Sequence, residues 1–482
     1  MVMTDTRATP MLPVKGSPLF LTLVCLVAAV GGLLFGFDTA VISGTFGFVE
    51  KQFALSKLML GWFGSAALAG CVLGAMVAGW LGDRFGRKPV LIASAVFFFV
   101  SALYSAIPPN FTVLIIARLI GGVGVGIASV LAPLYISEFA PPKIRGRLVA
   151  LYQLSIVVGI LLAYFSNWVL LGFAEAHPQA FGGKGVFHWL LVGQVWRGMF
   201  AAELIPNTIF ILLLLLVPES PRWLVNAGRT DQAFVILARV NGSETARREL
   251  QAIQASAERE EGSLAELFKP GLRVALIVGV GLSVFGQMTG VNSVIYYGPS
   301  ILKEAGLDLG GAMGYQVALG LVNLVFTLLA VWKVDSWGRR PLLIGGMAVV
   351  TLSLGTAGLL FAAKLASGFL IVCVLGVYMA CVALSICAVI WVLTPEIFPN
   401  RIRGRAMSIA VFANWAVNTV NAFLFPWFAA RFGMHAVFLT FAGICLVATV
   451  FFWRFVPETK GKSLEEIEEY WLGRQKKLGG GA

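Results

Sequence analysis

Asp38, Arg118 and Glu203 stand inside otherwise apolar runs. A charged residue at the centre of a membrane helix costs roughly 2.5–3.5 kcal/mol on insertion scales, so each is a candidate for function. With helix ends read near Thr45, Phe111 and Trp196, each charge lies seven positions in from one membrane face. At 1.5 Å per residue that is a depth of about 10 Å for all three. The spacing therefore predicts that two carboxylates and one guanidinium meet in a single layer. An acid that can leave an arginine and return to it is the minimum equipment for taking up and releasing a proton. The alternative is a static ion pair that holds helices together.

A second set of residues is polar but uncharged. Gln153, Gln287, Asn292, Asn323, Asn414 and Asn418 lie in apolar segments, together with Tyr296, Trp391 and Trp415. Amides both donate and accept hydrogen bonds, and aromatic rings take the C–H faces of a ligand. A neutral sugar offers hydroxyls around its rim and C–H groups on its faces, so this set could bind one. For any single amide the alternative is an interhelical hydrogen bond worth about 1 kcal/mol. For Trp391 it is a core position. Asn414 and Asn418 share a helix face by their i,i+4 spacing. Gln287 and Asn292 share a broad face at different depths, and Tyr296 lies one turn beyond Asn292. The glycines and Pro299 of this stretch predict a bend or break near its outer end.

Positioning these residues requires membrane helices. The chain has 482 residues, of which 58% are hydrophobic and 12% charged, with mean hydropathy +0.86. A soluble domain carries about 25% charge, so lipid must be the solvent for much of this surface. Twelve apolar segments are long enough to cross a bilayer. Spans 1 to 6 are read near 18–45, 58–81, 89–107, 111–138, 148–172 and 196–217. Spans 7 to 12 are read near 272–302, 313–334, 342–363, 367–396, 406–431 and 434–455. The first span is too long for a cleaved signal peptide. The alternation of a β-barrel is absent, and runs such as Ile209 to Val217 argue against one.

Between the two sets of six spans, residues 218–270 carry fifteen of the chain's charged residues. The expected organisation is an N-terminal bundle (1–217), a cytoplasmic helical linker (218–270), a C-terminal bundle (271–456) and a cytoplasmic helix and tail (457–482). With the N-terminus inside, 28 of the 36 Lys and Arg fall on the cytoplasmic side, seven outside and Arg118 within a span. By the positive-inside rule both termini are cytoplasmic. The net charge of +12 is then a property of these loops and not a sign of nucleic-acid binding. The six cysteines sit in apolar runs without metal-ligand spacing and read as packing residues. His177, His188 and His435 fall at external loops and read as solvated. No cofactor, metal site, nucleophile–base pair or phosphate loop is apparent, which argues against an enzyme.

The two sets of spans repeat one another. Asp83-Arg84-x-x-Arg87 follows span 2, and Asp335-x-x-x-Arg339 follows span 8. Glu138 and Arg145 follow span 4, and Glu396 and Arg403 stand 258 positions later after span 10. Span 6 leads to Pro218-Glu219-Ser220 and Arg222, and span 12 to Pro457-Glu458-Thr459. A parallel repeat of six spans is an architecture of carriers that rock about a midplane site. Asp83 with Arg87, and Glu138 with Arg145, are expected to pair between helix ends and lock the inner side shut. The alternative is that these charges only anchor helix ends.

On these motifs the chain resembles the sugar porters of the major facilitator superfamily over nearly its whole length. The residues that carry the resemblance are Gly82-Asp83-Arg84-x-Gly86-Arg87-Lys88, Arg118-x-x-Gly121-Gly122-x-Gly124-x-Gly126, Pro218-Glu219-Ser220-Pro221-Arg222-Trp223-Leu224 and Pro457-Glu458-Thr459-Lys460-Gly461. The resemblance implies an all-α membrane protein of twelve helices in two pseudo-symmetric bundles, with short cytoplasmic helices bridging the halves. A further helix is implied over 463–470, where Ser463-Leu464-Glu465-Glu466 also reads as a capping box.

Gln153, Gln287, Asn292, Asn323 and Trp391 match family sugar-binding positions. Asn414, Trp415 and Asn418 match pocket positions, and Phe35 matches an aromatic lining the sugar. The proton–xylose branch has Asp, Arg and Glu where this chain has Asp38, Arg118 and Glu203, while facilitative members lack the first acid. The expected function is proton-coupled import of a xylose- or glucose-like monosaccharide by a monomer in the cell membrane. A uniporter on the same fold is the alternative, and a non-transporting sugar receptor the more distant one. Two departures stand out. Gly286 replaces the first of two usual glutamines, so the pocket is expected to be larger or wetter there. Span 10 lacks the usual Gly-Pro before Trp391, so it is expected to be less kinked.

Overall fold

The computed structural model describes residues 16–141, 144–257, 267–268, 272–398, 402–461, 466–467 and 471. Among the described residues the regular structure is helical, without strands. Eleven helical segments among the described residues are long and apolar enough to cross a membrane. Ten match spans 1 to 10: Pro18–Gly44, Lys57–Phe85, Arg87–Ala106, Phe111–Phe139, Arg145–Ala176, Val195–Leu216, Leu272–Glu304, Leu309–Val334, Arg339–Ala362 and Gly368–Ile397. The eleventh, Arg403–Phe455, has 53 residues and contains spans 11 and 12. It is interrupted by Gly433, whose φ of 82° and ψ of 162° are closed to other residue types.

Side-chain caps start several spans. Ser17, Ser56, Asn110 and Asp308 each accept a hydrogen bond from the N–H three residues on. These satisfy donors that a helix leaves orphaned at its first turn. The glycine-rich run of span 4 explains itself in packing. Gly122 and Gly126 lie directly on the carbonyls of Ala67 and Cys71 in span 2, where a side chain would not fit. Close backbone approach of this kind drives helix association where lipid removes the hydrophobic advantage.

Three interruptions matter for the site. Span 7 breaks at Thr289-Gly290, near its middle and not at its outer end; Gly290 has φ 82°, and Pro299 stays within the following helix. Span 6 is interrupted at Glu203. Pro206, three residues on, supplies no N–H to the preceding turn. Span 10 breaks at Ser385 despite the missing Gly-Pro, against expectation. Ser385 Oγ donates to the Cys381 carbonyl at 2.6 Å. A serine bonded to the carbonyl four residues back bends a helix, so serine does here what proline does elsewhere.

The loops Gly82–Lys88 and Ser336–Arg340 mark one end of the molecule, the basic end. At the opposite end the two sets of spans touch. Gly61 of span 2 lies against the Phe423 carbonyl of span 11. Tyr164 of span 5 donates to the Ile295 carbonyl of span 7 at 3.1 Å. Phe46 and Tyr297 meet with ring centroids 4.5 Å apart. The polar middle forms helices Pro221–Asn226, Thr230–Asn241 and Ser243–Ala257. They dock beneath span 1, where the Ser17 N–H donates to the Arg239 carbonyl and Arg239 lies over the Phe20 ring. The expected bridge to the second half, and most of the helix expected over 463–470, lie outside the described residues. The six cysteines are free thiols. Cys373 is exposed, so it is not the packing residue expected from its apolar neighbours.

Candidate functional site

Span 1 brings Asp38 against Arg118 of span 4. Arg118 Nη1 donates to Asp38 Oδ1 at 2.5 Å, and Nη2 donates to the Asp38 backbone carbonyl at 3.1 Å. The two side chains are 1% and 2% exposed. The guanidinium also lies 5.5 Å from the Phe200 ring centroid. Removing one partner of such a buried pair strands the other charge, so the pair holds unless something changes the charge of Asp38. Glu203 is fully buried, one turn after Phe200. Both its oxygens lack well-formed hydrogen bonds among the described residues, so it stays outside the ion pair while lying near enough for Asp38 and Arg118 to act on it.

The amides assemble around the break in span 7. Asn292 Nδ2 donates to Gln287 Oε1 at 2.6 Å, and Gln287 Nε2 donates to Asn414 Oδ1 at 2.9 Å. Asn418 Nδ2 reaches the Tyr296 hydroxyl at 3.4 Å. Trp415 of span 11 meets Phe35 of span 1 at 5.5 Å between centroids, linking the two halves at midplane depth. The other expected residues do not join this chain. Asn323 is buried and accepts from Thr327 within its own helix at 3.5 Å. Gln153 is half-buried on span 5. Trp391 is 45% exposed, so it is not a core aromatic.

Two further residues act at the break. Asn421 Nδ2 donates to the Gln287 carbonyl at 3.3 Å, and the Tyr378 hydroxyl donates to the Thr289 carbonyl at 3.0 Å. Tyr378 thereby serves a carbonyl at the interruption itself, while the Gln287 carbonyl accepts from both Asn421 and the Gly290 N–H at 3.3 Å. Asn421 continues the face of Asn414 and Asn418, a usable signal. Tyr378 carries none. The expected space at Gly286 is not there. A side chain at this position would run into Ile390 of span 10, so Ile390 fills the site and the helices pack closely.

The charges at the basic end arrange differently from expectation. Arg87 pairs with Asp83 at 3.0 Å, as the spacing suggests, but it is also the partner of Glu138 at 3.1 Å. Arg145 donates instead to the Ala140 carbonyl at 3.4 Å. Arg84 lies over the rings of Trp80 and Phe85. Arg222 borders a crevice of about 230 Å³ with Glu138 and Arg145. In the second half Arg339 pairs with Glu396 at 3.0 Å, and Arg403 donates to the Phe398 carbonyl. The Asp335 side chain lies outside the described residues. Among the described residues these ion pairs stay within one half, so they tie helix ends of the same bundle.

Glu219 accepts from the N–H groups of Arg87 and Lys88, and Glu458 from those of Arg339 and Arg340. Each carboxylate caps the helix that follows its partner loop. Burial pushes the Glu219 carboxyl above the usual glutamate range, against its backbone donors. Burial acts the same way on Glu458, but the N–H groups of Lys460, Arg340, Arg339 and Thr459 outweigh it and hold the carboxyl below that range.

A helical membrane bundle with a buried acid–arginine pair and an amide-lined break at its centre is the build of a solute transporter, not of an enzyme. The family model described as "Sugar (and other) transporter" matches residues 24–471, and the chain belongs to that family. It is 40% identical to the arabinose–proton symporter of Bacillus subtilis, over 97% of this chain and 99% of the relative. The inward-open structure of the xylose transporter XylE from Escherichia coli matches with a TM-score of 0.80 and 37% identity, covering 94% of this chain and 100% of that one. The proton:xylose symporter XylE bound to 6-bromo-6-deoxy-D-glucose matches with a TM-score of 0.73, 38% identity and 94% and 99% coverage.

Proposed function

We propose that this protein imports a monosaccharide together with a proton, by alternating access, across the cell membrane. The Asp38–Arg118 pair carries this reading, because a buried acid in reach of one arginine has a reason to change partners only if its charge changes. Asp38 takes a proton from outside, loosens from Arg118, and loses the proton inside. Relatives named for arabinose–proton and xylose–proton symport support the coupling and point to a pentose. Gln287, Asn292 and Asn414 would exchange their mutual hydrogen bonds, and Asn418 its contact with Tyr296, for sugar hydroxyls, with Trp415, Phe35 and Tyr296 as walls and Gln153, Asn323 and Trp391 at the periphery.

The basic end is cytoplasmic in this reading, as are both termini, and one chain suffices for transport. The boundaries are those of the sequence repeat, with bundles at 1–217 and 271–456 joined by 218–270 and followed by the 457–482 tail. Contacts between the halves at the end away from the basic loops make the conformation inward-facing. The test is uptake of labelled xylose, arabinose and glucose into proteoliposomes, with and without an inward proton gradient. Wild type should accumulate sugar with the gradient, and Asp38→Asn should exchange sugar without accumulating it. Equilibration by wild type regardless of the gradient would instead make the protein a uniporter and Asp38 a structural partner of Arg118.

A further inference from the structure

Asn207 is fully buried in span 6, one turn beyond Glu203 toward the basic end. Neither its Oδ1 nor its Nδ2 has a hydrogen-bond partner among the described residues, and neither do the two Glu203 oxygens. Leaving a buried polar group unpaired is costly, and the Asn207 side chain lies close enough to act on the Glu203 carboxyl without a well-formed hydrogen bond between them. The i,i+4 spacing sets its side chain over that of Glu203. Phe210 and Leu214 continue the same buried face, and the Phe210 ring packs against Gly31 of span 1. Asn207 is thus the last polar side chain on this face before an apolar barrier.

The surroundings limit what can act on Glu203. Asp38 of span 1 and Arg118 of span 4 are the charges that act on it. Span 3 packs against both pieces of span 6 and carries Ser101 and Ser105, buried and uncharged, whose hydroxyls have no partner among the described residues. Span 5 brings Tyr164, whose hydroxyl is engaged by Ile295.

We propose that Asn207 is the positioning residue of Glu203, serving its carboxyl in both protonation states. An amide can donate Nδ2–H to the carboxylate and, turned over, accept the O–H of the acid at Oδ1. A hydroxyl-free apolar neighbour could do neither. The proposal rests on the proton-coupled reading for its role in transport, but not for its test.

The experiment uses the purified full chain in lipid, with Asn207→Leu as a near-isosteric apolar replacement and Glu203→Gln to identify the Glu203 carboxyl band in infrared difference spectra. In Asn207→Leu the Glu203 band should move in frequency, and its titration midpoint should shift by about one pH unit, roughly a tenfold change in proton affinity. Tm is read alongside, to separate a general loss of stability from a change at Glu203. Asn207→Gln should restore the band toward wild type. A band and midpoint unmoved in Asn207→Leu would overturn the proposal, as would a fall in Tm with no spectral change, which marks a structural amide. The pH profile of gradient-driven uptake should shift in Asn207→Leu and not when Glu203→Gln is already present. A wild type without proton-driven uptake would sink the symport reading and leave the spectral result to decide on Asn207.

Discussion

Ile390 of span 10 places its Cδ1 where a side chain at Gly286 of span 7 would begin. The two broken helices therefore approach through a glycine beside the amides of Gln287 and Asn414. Gly286→Gln should overpack this contact, lowering Tm by an amount equivalent to about 1–3 kcal/mol and reducing uptake. The double variant Gly286→Gln with Ile390→Ala should recover stability and change the ranking of pentose and hexose in competition assays. Equal Tm for Gly286→Gln and wild type would show that Ile390 does not confine the site.

Arg87 and Glu138 form a pair whose side chains are 7% and 2% exposed. Arg87→Ala should destabilise the protein by about 3–5 kcal/mol, because the Glu138 carboxylate is left buried. The repeat-related Arg339→Ala should cost less, since Glu396 is 27% exposed and also accepts from Thr459. Unfolding in detergent checks the order. Replacing both Arg87 and Glu138 by leucine should recover most of the loss.

Glu219 and Glu458 should respond to pH in opposite senses. Folding raises the Glu219 carboxyl, so its ionisation detracts from stability as pH rises through the window above the usual glutamate value of about 4.3. Folding lowers the Glu458 carboxyl, so its stability is present above that value and is lost as pH falls through its folded value. At pH 7, Glu458→Gln should lower Tm more than Glu219→Gln does. The Glu458→Gln deficit should shrink toward pH 4. Parallel melting curves of both variants over this range provide the check.

Tyr378 holds the Thr289 carbonyl at the break of span 7 and is fully buried. Tyr378→Phe keeps the ring and removes the donor, leaving that carbonyl unsatisfied at about 1–3 kcal/mol. Thermal unfolding should fall accordingly, and amide exchange around Thr289 to Asn292 should quicken. Unchanged exchange there would mean that Asn421 and Thr289 itself secure the break without Tyr378.

Much of this protein was legible along the chain. Runs of about twenty apolar residues dictate spans, because a bilayer tolerates only backbone that satisfies itself. The repeated loops announced the pseudo-symmetry. Equal depth along three helices foretold that Asp38 and Arg118 would meet, since a 1.5 Å rise converts sequence position directly into height. The i,i+4 spacing of Asn414 and Asn418 likewise placed both on one face.

What sequence position does not encode is azimuth, the direction in which each helix turns its side chains toward its neighbours. Glu138 is seven residues from Arg145 in sequence, yet it is held by Arg87 from another span. The emptiness of Gly286 looked like space until span 10 delivered Ile390 into it. Ser385 bent a helix through a bond to its own preceding turn, where the absence of proline suggested straightness. In each case local propensity and depth came from the residues themselves. For Glu138 and Gly286 the choice of partner came from how whole helices pack, a decision made by close contact between segments far apart along the chain.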